Sequence, residues 1–132
     1  MSRGGKVKIF PISVLFWNVR GLGSRGRRAQ LKKIIQDHQI RCLCISETIK
    51  QNFTNRELNA IGGGMPFTWE WIPARGHSGG LLMGIVEDFA EVIKIEVNDH
   101  FQAMTMVQKE DNFRWRLISV YGPVKSRPFS MS

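Results

Sequence analysis

Two short apolar runs on either side of a helical pattern constrain the fold of this chain more than any other feature. The runs cover residues 14–18 and 42–47, and neither has the polar alternation of a strand exposed on one face. They therefore predict central parallel strands that are covered on both faces. Between the runs, Ser24 is placed to cap a helix. Four later residues recur at the spacing of one buried helix face: Leu31, Ile34, Ile35 and His38. The stretch predicts a strand–helix–strand unit.

A polar residue lies at the end of each predicted parallel strand. Asn18 ends the first strand and Glu47 ends the second. Parallel strands joined by one helix have their carboxyl ends at the same edge, which is where open α/β sheets bind ligands. An amide oxygen and a carboxylate at that edge suit Mg²⁺. The alternative is that Asn18 opens a turn and Glu47 caps the next segment.

The positive charge of the chain is concentrated next to this edge. Residues 1–41 hold ten Lys or Arg and one acidic residue, a net charge of +9, and the remainder has a net charge of −1. A local basic patch is what a DNA phosphate backbone attracts. The alternative is a solvated helix face preceded by a disordered basic start. The residues proposed to contact nucleic acid are Arg20, Arg25, Arg27, Arg28, Lys32 and Lys33.

Composition predicts one intracellular domain. The 132 residues, of which 42% are hydrophobic, can bury one modest core. No apolar stretch is long enough to cross a membrane, and the first residues lead into no signal-peptide core. Cys42 and Cys44 alternate in one predicted strand, which indicates reduced core residues rather than a disulfide. The basic cluster at residues 25–28 resembles a short nuclear-localisation signal, so the nucleus is one of the intracellular compartments compatible with the sequence.

The second half of the chain has the pattern of an antiparallel sheet. Asx-rich breaks separate runs of β-branched residues and indicate hairpin turns. The predicted strands cover residues 67–72, 78–86, 92–97, 101–109 and 113–121. The predicted domain spans residues 13–123, with a basic extension at residues 1–12 and an unstructured tail at residues 124–132.

Four motifs in order carry a family resemblance: Trp17-Asn18-Val19-Arg20-Gly21-Leu22, Ser46-Glu47-Thr48, Gly76-His77-Ser78-Gly79-Gly80-Leu81-Leu82 and Val120-Tyr121-Gly122-Pro123. With them the chain resembles the amino-terminal half of an endonuclease/exonuclease/phosphatase domain, the fold shared by DNase I and the apurinic/apyrimidinic endonucleases. It is most similar to the endonucleases of plant LINE-type (non-LTR) retrotransposons. The resemblance implies an α/β fold, an incomplete four-layer α/β/β/α sandwich with mixed strands. About one sheet and its flanking helices are expected in this chain.

The resemblance also implies roles for single residues. Asn18 and Glu47 match the positions that hold Mg²⁺ or Mn²⁺, here expected to bind weakly. Tyr121 matches a catalytic tyrosine that holds the scissile phosphate, although an ordinary strand aromatic is the alternative. Such enzymes hydrolyse a phosphodiester with a metal-activated water. Their later Gly-Asp-x-Asn and Ser-Asp-His motifs, which supply the general base and a histidine, do not occur in this sequence. The chain is therefore expected to be inactive alone.

The three histidines match no catalytic position of that family. His38 falls on the apolar helix face and is expected in the core or at its boundary. His77 is interpreted as a surface loop residue, and His100 is assigned no role.

Three functional hypotheses follow from these observations. The first is a truncated Mg²⁺-dependent phosphodiesterase or DNA endonuclease domain of retrotransposon type. The second is a non-catalytic nucleic-acid-binding module. The third is an interaction protein that associates with another copy, or with another nuclease chain, through an uncovered apolar sheet face.

Overall fold

The computed structural model describes residues 13–76, 78–98 and 100–120. In these residues the elements are β1 (Val14–Asn18), α1 (Arg25–His38), β2 (Cys42–Ser46), α2 (Asn55–Gly62), β3 (Phe67–Ile72), β4 (Leu81–Val86), β5 (Ala90–Val97), β6 (Phe101–Gln108) and β7 (Arg114–Val120). The strands form one sheet in the order β1-β2-β4-β3 and a second in the order β5-β6-β7. The predicted mixed α/β class is confirmed, but the strands divide between two sheets where about one was expected.

The predicted strand–helix–strand unit is present, with β1 parallel to β2 and Asn18 paired with Ser46. The strand pairs within the second half of the chain are antiparallel, as the turn signals predicted. β2 also pairs with β4 in the antiparallel sense. The prediction that both parallel strands are central is wrong for β1. Within the described residues β1 is an edge strand, and its Phe16 is 62% exposed. An apolar run therefore does not by itself establish a central strand: β2 is buried on both faces, whereas no residue of β1 is fully buried.

Helix α1 packs on the first sheet through Leu31 and Ile35, which are fully buried. Ser24 caps its start as predicted, accepting a hydrogen bond from the backbone N–H of Arg27 at 3.1 Å. The expectation for His38 is wrong, because this residue is exposed. Gln39 adopts a left-handed conformation that ends the helix there, and Ile40 takes the next buried position. Within the described part of the chain, no helix has the length and apolar character required to cross a membrane.

The apolar character of β2 comes from packing on both of its faces. Leu43 and Ile45 join the core between the first sheet and the helices. Cys42 and Cys44 point the other way, into a second core between the two sheets that also contains Met83, Ile85, Ala90, Met104, Met106 and Leu117. Successive strand residues face opposite sides, so a strand buried on both sides needs an unbroken apolar run. The result is three layers in order: helices, first sheet, second sheet.

Both cysteines are buried free thiols, as predicted. Burial raises the pKa of Cys42 to about 12, and the neighbouring Cys44 adds to this effect while Arg41 opposes it. Burial likewise raises the pKa of Cys44 to about 12, against the opposing hydrogen bond of the Ser119 side chain. The thiols therefore remain protonated at physiological pH and act as small core residues.

We expect the native chain to resist thiol-specific reagents. With a pKa of about 12, roughly one thiol in ten thousand is ionised at about pH 8, and burial excludes the reagent as well. Titration with Ellman's reagent should give a very slow reaction of the folded chain and two rapidly reacting thiols in guanidinium chloride. Rapid labelling of either thiol without denaturant would contradict the two-sided packing of β2.

Candidate functional site

The backbones of β1 and β2 stay paired beyond the ends of the strands. The N–H groups of Val19 and Gly21 donate to the carbonyls of Ser46 and Glu47 at 3.0 and 2.8 Å. The Leu22 N–H donates in the same way to the Thr48 carbonyl at 2.8 Å. Asn18 and Glu47 consequently lie on neighbouring segments at one edge of the sheet. This is the juxtaposition that the spacing of the two apolar runs predicted.

The backbone at this edge is strained. Arg20, Glu47 and Ile49 have φ values of 54°, 53° and 56°, in the left-handed region that favours glycine. Each such residue costs on the order of 1–3 kcal/mol and persists only where the surroundings enforce it. Glu47, a predicted metal ligand, is therefore held in a conformation that the isolated segment would not adopt. Concentrated strain of this kind is typical of functional sites.

Two glycines before β4 hold the strained segment in place. The carbonyl of Gly79 accepts from the N–H of Ile49 at 2.9 Å, and that of Gly80 accepts from the N–H of Thr48 at 3.3 Å. Gly80 has a φ of 93°, and a Cβ atom there would overlap the hydroxyl oxygen of Thr48. Thr48 is itself 1% exposed. Gly80 of the third motif therefore has a structural role, since it allows two backbones to approach closely.

An ion-pair cluster centred on Glu57 of α2 connects the segment after β2 with α1, whose Arg28 holds the loop after β1. Glu57 Oε2 lies 2.8 Å from Lys50 Nζ and 3.6 Å from Arg28 Nη1. Its Oε1 accepts from the Thr54 N–H at 2.9 Å, completing a capping box at the start of α2. The hydrogen bond from Lys50 is the main reason that the pKa of Glu57 is lowered. Sequence reasoning missed Glu57, although the Thr54-x-x-Glu57 spacing is the signal of a capping box.

The six predicted DNA-contacting cations divide into two groups. Arg27 Nη1 donates to the Val19 carbonyl at 2.7 Å, and Arg28 Nη1 donates to the Leu22 and Gly23 carbonyls at 3.2 and 2.7 Å. Lys33 pairs with Asp37 at 3.0 Å in an exposed i,i+4 ion pair. The other three are exposed and make no hydrogen bond or ion pair with described residues: Arg20, Arg25 and Lys32.

Asn18 and Glu47 offer oxygen atoms that are not otherwise used. Neither side chain makes a hydrogen bond or ion pair with a described residue, and Asn18 is exposed while Glu47 is half-buried. An amide oxygen and a carboxylate are hard donors of the kind Mg²⁺ accepts, with water and substrate phosphate completing its octahedron. The described residues contain no cluster of three or more His, Cys, Asp or Glu side chains that could hold a metal alone. The donor set therefore fits part of a Mg²⁺ site.

An open cleft of about 430 Å³ adjoins Asn18 and runs between the two edge strands β1 and β7. Its lining is apolar with a few hydroxyl and amide groups: Phe16, Trp17, Asn18, Cys44, Ser46, Ile118, Ser119 and Val120. Tyr121, the predicted catalytic tyrosine, is next in sequence after Val120 but lies outside the described residues, as does His77. His100 is exposed at the β5–β6 turn.

No protein-family model matches the sequence, and comparison with curated proteins gives no match. Solved structures do match the fold. The AP endonuclease LMAP of Leishmania major superposes with a TM-score of 0.56 and 16% identity, over 80% of this chain and 38% of that one. The 3′ phosphatase NExo of Neisseria, bound to a product DNA hairpin, gives 0.58 and 16%, over 84% of this chain and 41% of that one. An AP endonuclease of Archaeoglobus fulgidus gives 0.51 and 15%, over 68% and 35%.

Identities this low establish the fold alone. The helix–sheet–sheet layers are part of the DNase I-like α/β/β/α sandwich, as the resemblance implied. The chain spans less than half the length of these three proteins.

We expect Gly80→Ala to destabilise the chain by about 2 kcal/mol or more, since it combines a left-handed backbone with a steric overlap. The free energy of unfolding from urea denaturation measures the effect. Gly26→Ala is the matched control, because Gly26 lies in α1 with open space around its Cα. That control should stabilise the chain by about 0.5–1 kcal/mol. Equal effects of the two substitutions would contradict the close approach at Thr48.

Proposed function

We propose that this chain is the amino-terminal part of a Mg²⁺-dependent phosphodiesterase domain of the DNA endonuclease type, related to those of plant LINE-type retrotransposons. The observation that carries the proposal is the placement of Asn18 and Glu47 on paired segments with unused oxygen atoms. They lie at the edge where α/β sheets bind ligands, in a fold that AP endonucleases and a 3′ phosphatase share.

The residues of this chain would supply the metal-holding half of the reaction. The Asn18 amide oxygen and the Glu47 carboxylate would hold Mg²⁺ or Mn²⁺, and the Tyr121 hydroxyl would hold the phosphate by donating a hydrogen bond to one of its oxygens. A metal bound there offsets negative charge on the phosphate and activates water. Holding metal and phosphate does not remove a proton from the attacking water, and the motifs that would supply the base are absent from the sequence. We therefore propose that the chain alone does not cleave DNA.

DNA is the substrate that fits the charge. Arg20 in the loop after β1 and Arg25 at the start of α1 are exposed and have no partner among the described residues, and Lys32 is exposed about two turns farther along α1. Arg27 and Arg28 contribute positive potential, while their N–H groups hold the loop after β1. Contacts of this kind position a phosphate backbone without reading its sequence. An intracellular, nuclear location is part of the same proposal, since the DNA lies there.

A second candidate function is association between copies of the chain. The cleft separates two edge strands, and on them Phe16 is 62% and Val120 is 76% exposed. Exposed apolar side chains on unpaired strand edges favour pairing with another chain. We propose that residues 13–123 form the associating unit, through β1 and β7.

We expect Glu47→Ala to weaken Mn²⁺ binding by at least tenfold, because it removes the one carboxylate of the donor set. Isothermal titration measures binding, with Glu91→Ala as control because Glu91 is exposed on β5 of the other sheet. In a supercoiled-plasmid assay with Mg²⁺, the wild-type chain should nick no faster than Glu47→Ala. Mn²⁺ binding by Glu47→Ala with wild-type affinity would contradict the proposed metal site. Metal-dependent nicking lost in that variant would show that the chain has its own base.

We expect DNA affinity to fall with salt, and Arg25→Ala to reduce the slope of log K against log salt by about one. Arg116→Ala removes the same charge from β7, where Arg116 pairs with Glu96. It should leave the slope unchanged. Fluorescence anisotropy with a duplex at several salt concentrations measures both variants. Equal slopes for the two would place the contact elsewhere.

We expect the chain to sediment as a dimer or larger species at micromolar concentration, and Phe16→Lys to shift it toward monomer. The charge would be buried without a partner in a paired edge. Analytical ultracentrifugation distinguishes the states, with Phe113→Lys as control because Phe113 is 56% exposed and does not line the cleft. A monomer at all concentrations would argue against edge pairing.

A further inference from the structure

Glu57 lies on α2, outside both strands that carry the proposed metal ligands, yet it joins the segments that follow them. One oxygen of its carboxylate contacts Lys50 and Arg28, whose side chains are 18% and 15% exposed, and its own side chain is 19% exposed. The two cations belong to different segments of the chain. Lys50 is three residues after Glu47, and Arg28 is in the first turns of α1.

Arg28, one of the two cations paired with Glu57, holds the loop after β1 in place. Its Nη1 donates to the carbonyls of Leu22 and Gly23 at 3.2 and 2.7 Å. The same loop donates back to the second segment, because the Gly21 and Leu22 N–H groups each lie 2.8 Å from carbonyls that follow β2. A guanidinium held by a carboxylate is a rigid clamp for such carbonyls.

Lys50, the other cation paired with Glu57, holds the segment after β2 in place. Lys50 Nζ is held by Glu57 and lies 5.4 Å from the centre of the Phe53 ring, and its carbonyl accepts from the Ala74 N–H at 2.9 Å. Between this anchor and β2 are Glu47 and Ile49, with their left-handed backbone. Strained residues keep their conformation only when both sides of them are held.

We propose that Glu57 is a positioning residue for the metal site, whose negative charge draws Arg28 and Lys50 together and so fixes the spacing between Asn18 and Glu47. The inference rests on the proposed function, since it assumes that those two residues hold a metal. Without the carboxylate, two cations would share one small volume and repel each other. Substitution of a residue that holds metal ligands in position commonly weakens metal binding by about 10- to 100-fold.

Two substitutions separate the charge of Glu57 from its helix cap. Glu57→Gln keeps a side-chain oxygen for the Thr54 N–H, so the capping box persists while the charge is lost. Thr54→Ala removes the hydroxyl that accepts from the Glu57 N–H at 3.1 Å and leaves the ion pairs in place. The second variant loses helix stability without losing the charge, and is the matched control.

The experiment measures Mn²⁺ binding by the whole chain and, without metal, the amide exchange of Gly21 and Leu22 by NMR. Mn²⁺ stands in for Mg²⁺, and its free fraction is read by electron paramagnetic resonance. We expect Glu57→Gln to weaken Mn²⁺ binding about tenfold and to speed exchange of both amides. Thr54→Ala should lower the melting temperature while leaving Mn²⁺ affinity and exchange as in wild type.

The outcomes distinguish this role from the metal site itself. Wild-type affinity in Glu57→Gln, together with loss in Glu47→Ala, would overturn the positioning role alone. Equal weakening by Glu57→Gln and Thr54→Ala would also overturn it, because helix stability and not charge would then be responsible. Absence of Mn²⁺ binding by the wild-type chain would overturn the proposed metal site, and the positioning role with it.

Discussion

The hydrogen bonding between the two segments that leave β1 and β2 is the constraint on which the rest of the site depends. Parallel strands normally diverge into separate loops, but here the N–H groups of Val19, Gly21 and Leu22 continue the ladder past the sheet. The continued ladder brings Asn18 and Glu47 together and imposes the left-handed backbone of Glu47. The close approach at Gly80 and the ion pairs of Glu57 serve to hold that pairing from two sides.

The basic residues of α1 and of the loop before it have two different roles. Arg27 and Arg28 lie close to the loop after β1 and use their donors on its carbonyls, where they satisfy backbone groups that no strand pairs. Arg20 lies in that loop, and Arg25 and Lys32 lie on α1; all three are exposed to solvent. A clustered charge therefore stabilises the site through some of its members and leaves others available to a phosphate backbone.

The two sheets are joined by a layer rich in sulfur. Met83, Met104 and Met106 pack with the two buried thiols. Flexible Met side chains fill the irregular space between two twisted sheets. This packing sets β1 and β7 on either side of the cleft beside Asn18. The metal edge and the open strand edges are consequently neighbours, and whatever pairs with those strands would lie next to the site.

The sequence by itself determined the strand–helix–strand unit, the edge shared by Asn18 and Glu47, the capping Ser24 and the reduced core cysteines. These are local patterns, or follow from the rule that parallel strands end together. Only the tertiary structure decided that β1 lies at an edge, that the strands form two sheets and that His38 is exposed. The tertiary structure also brought Arg28 and Lys50 into ion pairs with Glu57. Such outcomes depend on which distant segments meet, and hydrophobic spacing along one segment carries no information about its neighbours.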